Sequence, residues 1–241
     1  MFPEIQILWL IAARAGSKSI PHKNIKKLGG LPLMAYRIKS ALKISSPEHV
    51  WVSTDSSEYA DIATECGATV PFLRPSELAT DKATSTDVVL HAMQWADRAN
   101  RRYDALGLLE PTSPFVRSDS LKDAVTKLFA DTNAENAVAV KHARPSTFYI
   151  ESEKRYLTEI AGRIRNAGLL RRQDERREVT PSGGFYIAKW DAFLSNQTFY
   201  TDKTIPCRVS DLESLEIDEE IDWDWAEFLV KTNRIDLGQI L

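Results

Sequence analysis

The sequence predicts a three-layer α/β/α sandwich built on a mainly parallel sheet. Short apolar runs bounded by turn residues recur along the chain, and helical patterns fill the spaces between them. Strands that alternate with helices pair in parallel, because each helix carries the chain back across the sheet. A chain of 241 residues can bury one substantial core, which favours a single domain over residues 1–241.

The predicted strands are apolar runs, the last of them a short aromatic ladder. They cover Ile7–Ala13, Val50–Ser53, Leu106–Leu109, Ala137–Val140 and 185–188. Helical periodicity predicts helices at about Leu33–Lys43, Ser57–Cys66, Ser85–Ala99, Ser118–Phe129 and Trp223–Thr232. The first strand is far shorter than the roughly 20 residues that a membrane span needs, and no basic segment precedes it. We therefore expect neither a membrane span nor a signal peptide.

Residues 141–182 interrupt this alternation. The segment is polar, arginine-rich and weakly periodic. Such a stretch is typical of an exposed arm or of a flap over an active site. The predicted strand at 185–188 then returns the chain to the sheet, so we expect the segment to protrude from the single domain.

Composition excludes some classes of partner. Hydrophobic residues at 43% and charged residues at 27% are ordinary for a globular protein. The net charge of −3 argues against a nucleic-acid binder that uses a broad basic surface, although a cleft for a small anion remains compatible with it. Cys66 and Cys207 lack the spacing of metal ligands and indicate reduced thiols in a cytoplasmic protein.

The loop after the first strand carries a concentration of positive charge. Arg14, Lys18 and Lys23 lie within ten residues, and Gly16 lets backbone amides approach an anion closely. The pattern is neither the P-loop nor the dinucleotide fingerprint. It predicts a polyphosphate site, and a solvated basic turn is the alternative.

Residues 214–225, SLEIDEEIDWDW, concentrate negative charge. Alternation around Leu215 and Ile217 predicts a short strand that places Glu216 and Asp218 on one face. Mg²⁺ prefers oxygen ligands and usually takes one or two carboxylates together with substrate phosphates and water. We therefore predict a magnesium site at Glu216 and Asp218. The acidic residues that follow are equally explained as the N-terminus of a helix.

The loop motif also carries a family resemblance. Residues 11–25, IAARAGSKSIPHKNI, resemble the opening motif of the acylneuraminate cytidylyltransferases, which make CMP-sialic acid and CMP-activated relatives such as legionaminic and pseudaminic acid. The resemblance continues, in the family's order, through VSTDS (52–56), FLRPSELATDKATST (72–86), LLEPTSPFVRSDSL (108–121), RRQD (171–174), GGFYIA (183–188) and SLEIDEEIDW (214–223). It thus spans nearly the whole chain.

The resemblance implies a fold, a reaction and an assembly. The fold is a Rossmann-like nucleotidyltransferase fold with a small dimerisation arm. The reaction transfers CMP from CTP to the anomeric 2-hydroxyl of a 2-keto-3-deoxy sugar acid and releases pyrophosphate, with Mg²⁺ as the cofactor. The assembly is a homodimer in which residues 141–182 reach toward the neighbouring active site. The partners are CTP and a small acidic sugar, with neither nucleic acid nor membrane.

The resemblance also assigns roles to individual residues. The CTP side comprises Arg14, Ser17, Lys18, Lys23, Asn24, Arg74 and Ser85. The side of the sugar acid comprises Glu110, Thr112, Ser113, Arg172, Gln173 and Tyr186. Arg14, Lys23 and Asp218 are the catalytic candidates, and Arg172 is expected to pair with the sugar carboxylate. Residue chemistry supports part of this: Glu110, Thr112 and Ser113 follow a strand end, where ligands bind in such sheets, and Ser85 is placed to cap a helix.

Four departures from the family pattern leave alternatives open. The chain has Glu110 where relatives commonly have Gln, Glu216 in place of an aspartate, and Ser182 before Gly183 in place of Asn. It also has threonine at 147 and 180, where related enzymes can place basic residues donated by a partner subunit. A nucleotidylyltransferase for another sugar or base, or a nucleotide-binding homologue without catalysis, is therefore the alternative interpretation.

Overall fold

The computed structural model describes residues 5–143 and 179–240. Its strands are β1 (Ile7–Ala12), β2 (Lys27–Leu28), β3 (Leu31–Pro32), β4 (Val50–Ser53), β5 (Ala105–Leu109), β6 (Asn136–His142), β7 (Val179–Lys189) and β8 (Thr204–Arg208). Its α-helices are α1 (Leu33–Leu42), α2 (Ser57–Glu65), α3 (Ser85–Arg98), α4 (Ser118–Ala130), α5 (Trp190–Asn196) and α6 (Glu220–Lys231). In these ranges no helix is both long and apolar enough to cross a membrane.

Six strands form the main sheet, in the order β4-β1-β5-β7-β6-β8. β1 pairs in parallel with β4 and β5, and β6 pairs in parallel with β8. β7 is antiparallel to both of its neighbours, β5 and β6. The predicted mainly parallel sheet is confirmed. One strand, β7, is reversed, and antiparallel neighbours need no crossover helix between them.

Both faces of the sheet are covered, which confirms the predicted three layers. Successive residues of β1 point to opposite faces. Trp9 packs with Met34 of α1 and Leu121 of α4 on one face, while Leu10 packs with Val89 of α3 on the other. A third cluster lies beside α6 and joins Ile20, Leu28, Ile217 and Trp223. This cluster fixes the cationic loop and the acidic segment against the same helix.

The sheet extends into both ends of the predicted arm. Residues 141–142 belong to β6 and residues 179–182 to β7, where Lys141 pairs with Thr180 and His142 with Val179. Polar side chains do not prevent this pairing because the backbone groups make the ladder bonds. The remainder of the arm, residues 144–178, lies outside the described residues. Sequence analysis also missed β2, β3, α5 and β8, which are short or polar.

Candidate active site

The loop after β1 directs two predicted site residues inward. His22 adopts a left-handed φ of +53°, and its carbonyl accepts hydrogen bonds from Ile25 and Lys26, both at 3.0 Å. The resulting turn buries Lys23 and Asn24, which are 8% and 7% exposed. The Asn24 side chain donates to the Arg14 carbonyl at 2.9 Å and so closes the loop on itself.

Lys23 connects this loop to the acidic segment. Its ammonium donates to the Ile217 carbonyl at 2.7 Å and lies 3.7 Å from the Asp218 carboxylate. Asp218 itself is exposed. The structure therefore brings together two of the three residues predicted as catalytic, with a buried cation facing an accessible anion.

Arg14 and Lys18 share a single carboxylate. Asp81, in the loop before α3, accepts from Arg14 at 2.8 Å and pairs with Lys18 at 2.5 Å. These hydrogen bonds, first from Lys18 and then from Arg14, lower the pKa of Asp81. The two cations predicted to hold a triphosphate are thus already bridged by an internal anion.

A cavity of about 340 Å³ opens beside these residues. It is lined by Ala12, Arg14, Ser17, Lys18, Ser19, Lys23, Asn24, Glu110, Pro111 and Thr112. Seven predicted site residues therefore meet around one space, at the carboxyl ends of β1 and β5. Open parallel sheets bind their ligands at this edge.

Glu110 and Ser85 contact each other across the cavity edge. Thr84, not Ser85, caps α3: its hydroxyl accepts from the Asp87 amide, and the Asp87 carboxylate accepts from the Thr84 amide. The expectation that Ser85 caps the helix was wrong, because Ser85 is already the first residue of α3 and Thr84 precedes it. The Ser85 side chain instead lies beside Glu110 and acts to lower the pKa of that carboxyl. Burial raises the pKa of Glu110 to about 7, against the opposing charges of Arg74 and Arg37.

Arg74 is buried beneath the strand edge. Its guanidinium donates to the hydroxyl of Ser53 at 3.1 Å, to the Ser53 carbonyl, and to the Leu78 carbonyl at 3.4 Å. Burial lowers its pKa. These bonds tie the loop after residue 74 to β4. The predicted contact with cytosine would therefore use the N–H groups of the guanidinium that these bonds do not occupy.

The predicted strand around Ile217 was wrong. Residues 215–218 form no ladder, because Ile217 uses both backbone groups elsewhere: its amide donates to the Thr112 carbonyl at 2.8 Å and its carbonyl accepts from Lys23. Glu216 pairs with Lys141 at 3.3 Å. Within residues 5–143 and 179–240, no group of three or more acidic, histidine or cysteine side chains is arranged to hold a metal ion. A metal here would rest on Asp218, Glu216 and a ligand's own oxygens.

A family model described as cytidylyltransferase matches residues 8–223. The chain belongs to the cytidylyltransferase family.

Two curated relatives and one solved structure illustrate the match. The CMP-N,N'-diacetyllegionaminic acid synthase of Legionella pneumophila is 32% identical over 95% of this chain and 98% of its own length. The N-acylneuraminate cytidylyltransferase of Escherichia coli O18:K1:H7 is 33% identical over 97% of this chain, which spans about half (55%) of that relative. A CMP:2-keto-3-deoxy-manno-octonic acid synthetase complexed with CTP has a TM-score of 0.68 at 15% identity, covering 95% of this chain and 99% of its own. This last likeness confirms the predicted Rossmann-like nucleotidyltransferase fold.

The structure describes only some of the residues predicted to bind the sugar acid in this cytidylyltransferase. Ser113 is fully buried, and its hydroxyl has no hydrogen-bond partner in the described ranges. Tyr186 packs against the rings of Phe199 and Tyr200, and burial raises its pKa. Arg172 and Gln173 lie outside the described residues, as does Thr147.

Sequence reasoning missed the buried charges that support the cytidylyltransferase site. Arg37 of α1 is fully buried and donates to the carbonyls of Val116 and Gly184, both at 3.1 Å, and burial lowers its pKa to about 9. It thereby joins the loop after β5 to β7. An arginine on the apolar side of α1, between Met34 and Ile38, was the available signal.

A second buried charge holds the far end of that loop. Glu213 accepts hydrogen bonds from Arg117, Ser120 and Ser210. Burial alone would raise the pKa of Glu213, yet these bonds hold it below its usual value. The exposed carboxylate of Asp55 holds the start of the cationic loop, where it accepts from the Ala15 amide at 2.9 Å.

Proposed function

We propose that this cytidylyltransferase transfers CMP from CTP to the anomeric 2-hydroxyl of a nonulosonate, a 2-keto-3-deoxy sugar acid of the sialic acid class, and releases pyrophosphate. The observation that carries the proposal is the buried Lys23 ammonium, 3.7 Å from Asp218, at the edge of a cavity that Arg14 and Lys18 also line. The Legionella and Escherichia relatives, named for two sugars of this class, support the choice of acceptor.

The chain's own residues supply most of the proposed chemistry. Arg14 and Lys18 would exchange Asp81 for the triphosphate. The 2-hydroxyl oxygen attacks the α-phosphorus in line, the bond from that phosphorus to the pyrophosphate oxygen breaks, and the hydroxyl proton passes to Asp218. Lys23 stabilises the negative charge on the nonbridging oxygens in the transition state. Positioning of the two substrates supplies the rest.

Magnesium is the proposed cofactor, with Asp218 and Glu216 as its protein ligands. The accessible carboxylate of Asp218 fits a hard cation that keeps water and phosphate oxygens as further ligands. Glu216 would have to leave Lys141 in order to join it. When bound, Mg²⁺ neutralises charge on the phosphate oxygens. The test is dialysis against EDTA followed by titration with Mg²⁺, and full turnover after dialysis would contradict the assignment.

The decisive experiment measures pyrophosphate release from CTP with a panel of acids. The panel contains sialic, legionaminic, pseudaminic and ketodeoxyoctulosonic acids, and UTP, ATP and GTP replace CTP in parallel reactions. We expect release with CTP and at least one nonulosonate, and no release with the other nucleotides. Silence across the panel would favour a nucleotide-binding protein without catalysis, and release with another nucleotide would favour a different nucleotidylyltransferase.

We also propose a homodimer that works in the cytoplasm. Support for the dimer is the resemblance of residues 141–182 to a dimerisation arm, and the use of CTP and the free thiols of Cys66 and Cys207 support the compartment. Light scattering of the purified chain tests the assembly. A monomer at micromolar concentration would contradict it.

A further inference from the structure

Lys141 lies at the same edge of the sheet as the cavity. It is the penultimate residue of β6, and β6 runs parallel to β1 and β5 because β7 is antiparallel to both β5 and β6. The carboxyl ends of β1, β5 and β6 therefore meet at one edge. Sequence analysis gave Lys141 no role, although it is the residue of β6 that brings a positive charge to this edge.

The partner of Lys141 is a carboxylate that is only partly shielded from water. The ammonium lies 3.3 Å from Glu216, and the two side chains are 36% and 33% exposed. Half-exposed ion pairs of this kind contribute little net stability. Another carboxylate can therefore replace Glu216 at small cost.

The carboxylate of Glu216 lies against the backbone of Gly183, which has no side chain. Gly183 has a φ of +58°, and a Cβ built there would lie 2.6 Å from the Glu216 carboxylate and 3.4 Å from the Ser113 hydroxyl. A side chain at 183 would thus fill the space that Glu216 now occupies. The glycine keeps room for one carboxylate at the end of β6.

A donor without a partner borders the same space. The Ser113 hydroxyl is fully buried and has no hydrogen-bond partner within residues 5–143 and 179–240. A buried polar group left unpaired costs free energy, so such groups are rare unless a ligand completes them. Lys141 and Ser113 therefore offer an ammonium and a hydroxyl around one carboxylate-sized space, which is the donor set that a carboxylate accepts best.

We infer that Lys141 and Ser113 form the subsite for the carboxylate of the acidic sugar, and that Glu216 occupies this subsite in the unliganded chain. The inference rests on the proposed function and deepens it, because it adds Lys141 and Ser113 to the recognition of a carboxylate for which the resemblance names only Arg172, a residue outside the described ranges. The substrate carboxylate replaces Glu216 beside Lys141. Tyr186 and Tyr200, whose pKa values are raised first by burial and further by the charge of Glu216, border the same region and would face the sugar.

The test compares Lys141→Met with the wild type in pyrophosphate release, using the acid of the panel that the wild type turns over best. We expect the KM for the acid to rise at least about tenfold, since a charge-assisted hydrogen bond is lost, while the KM for CTP changes less than about twofold. Lys141→Arg keeps the charge and should retain most of the affinity for the acid. Ser113→Ala should raise the same KM by a smaller factor.

The methyl ester of the same acid provides a readout that a general structural defect would not alter. The wild type should prefer the acid to the ester, and Lys141→Met should lose most of that preference. Lys203→Met is the matched control, because Lys203 forms a similar pair with Glu135 at 2.9 Å. These two residues directly precede β8 and β6, so their pair lies at the opposite edge of the sheet from the cavity. The control should leave both constants and the preference unchanged.

Each outcome decides between the two proposals. If the wild type turns over an acid and Lys141→Met keeps the same KM and the same preference, the subsite is wrong and the proposed function stands. If the wild type turns over no acid, calorimetry with N-acetylneuraminate in the presence of CTP and EDTA takes its place. Binding that Lys141→Met weakens supports the subsite without the activity, and absence of binding to the wild type overturns both.

Discussion

The Asp81 carboxylate lies 2.8 Å from the Arg14 guanidinium, and it contacts Lys18 as well. Both cations belong to the loop that we propose for the triphosphate of CTP. An internal carboxylate on phosphate-binding cations competes with the ligand, so every binding event includes the cost of separating these pairs. The segment before α3 therefore influences the affinity for nucleotide although it does not line the cavity.

Asp81→Asn should lower the KM for CTP a few-fold. The substitution removes the negative charge that competes for Arg14 and Lys18, and because exposed pairs of this kind are weak, the change should be modest. Steady-state kinetics of pyrophosphate release measures the effect. Asp119→Asn, which removes an exposed pair with Lys122 on α4, should change nothing. A higher KM for CTP in Asp81→Asn would mean that Asp81 organises the loop for the ligand.

Lys23→Met should reduce kcat by about 10²–10³, the loss typical when one preorganised donor to transition-state charge is removed. The KM values should change far less. Lys26→Met is the matched control, because Lys26 lies in the same loop but pairs with Glu220 over the ring of Trp223. Thermal unfolding of both variants checks that the fold persists. Wild-type turnover in Lys23→Met would remove this residue from the mechanism.

His22→Gly should be more stable than His22→Ala by about 1 kcal/mol in the free energy of unfolding. His22 has a φ of +53°, a conformation that costs a residue with a Cβ roughly 1–2 kcal/mol, and glycine avoids that cost at some expense in chain entropy. Urea denaturation of the two variants gives the difference, and both lose the 3.3 Å contact of the imidazole with Tyr59 equally. Equal stabilities would show that the turn relaxes in solution.

Glu110→Gln should remove a pH dependence of stability. The pKa of Glu110 rises from 4.5 to about 7 on folding, so between these values the native state binds more protons than the unfolded state. The wild type therefore loses stability as pH rises through this window, by up to about 3 kcal/mol at 1.36 kcal/mol per pKa unit. Chemical denaturation from pH 4.5 to 8 measures the difference between wild type and variant. A difference independent of pH would refute the shift.

Much of the site was predictable because its residues follow strands. Arg14, Lys23, Glu110 and Thr112 meet since parallel strands end at one edge, and their apolar strands are evident in the sequence. The reversed direction of β7 was not predictable, because an apolar ladder carries no sign of its orientation.

Local competition between hydrogen bonds explains the other errors. The alternation around Ile217 suggested a ladder, but that residue gives its backbone groups to Thr112 and Lys23. Thr84 and Ser85 are both good caps by type, and only the backbone decides between them. The partners of Arg37 are carbonyls of distant loops, which no periodicity in α1 could indicate.

The reversed strand β7 divides the sheet into two parallel blocks, β4-β1-β5 and β6-β8. In the proposals above, the cationic loop of the first block binds the donor nucleotide, and Lys141 of the second block meets Ser113 of the first at the carboxylate of the acceptor. The register of β7 against β6 shifts between Val138 and Val140, just before Lys141 along β6. Changes in that register would move the acceptor relative to the donor without altering the cationic loop, so one scaffold can exchange its acceptor while it keeps its donor.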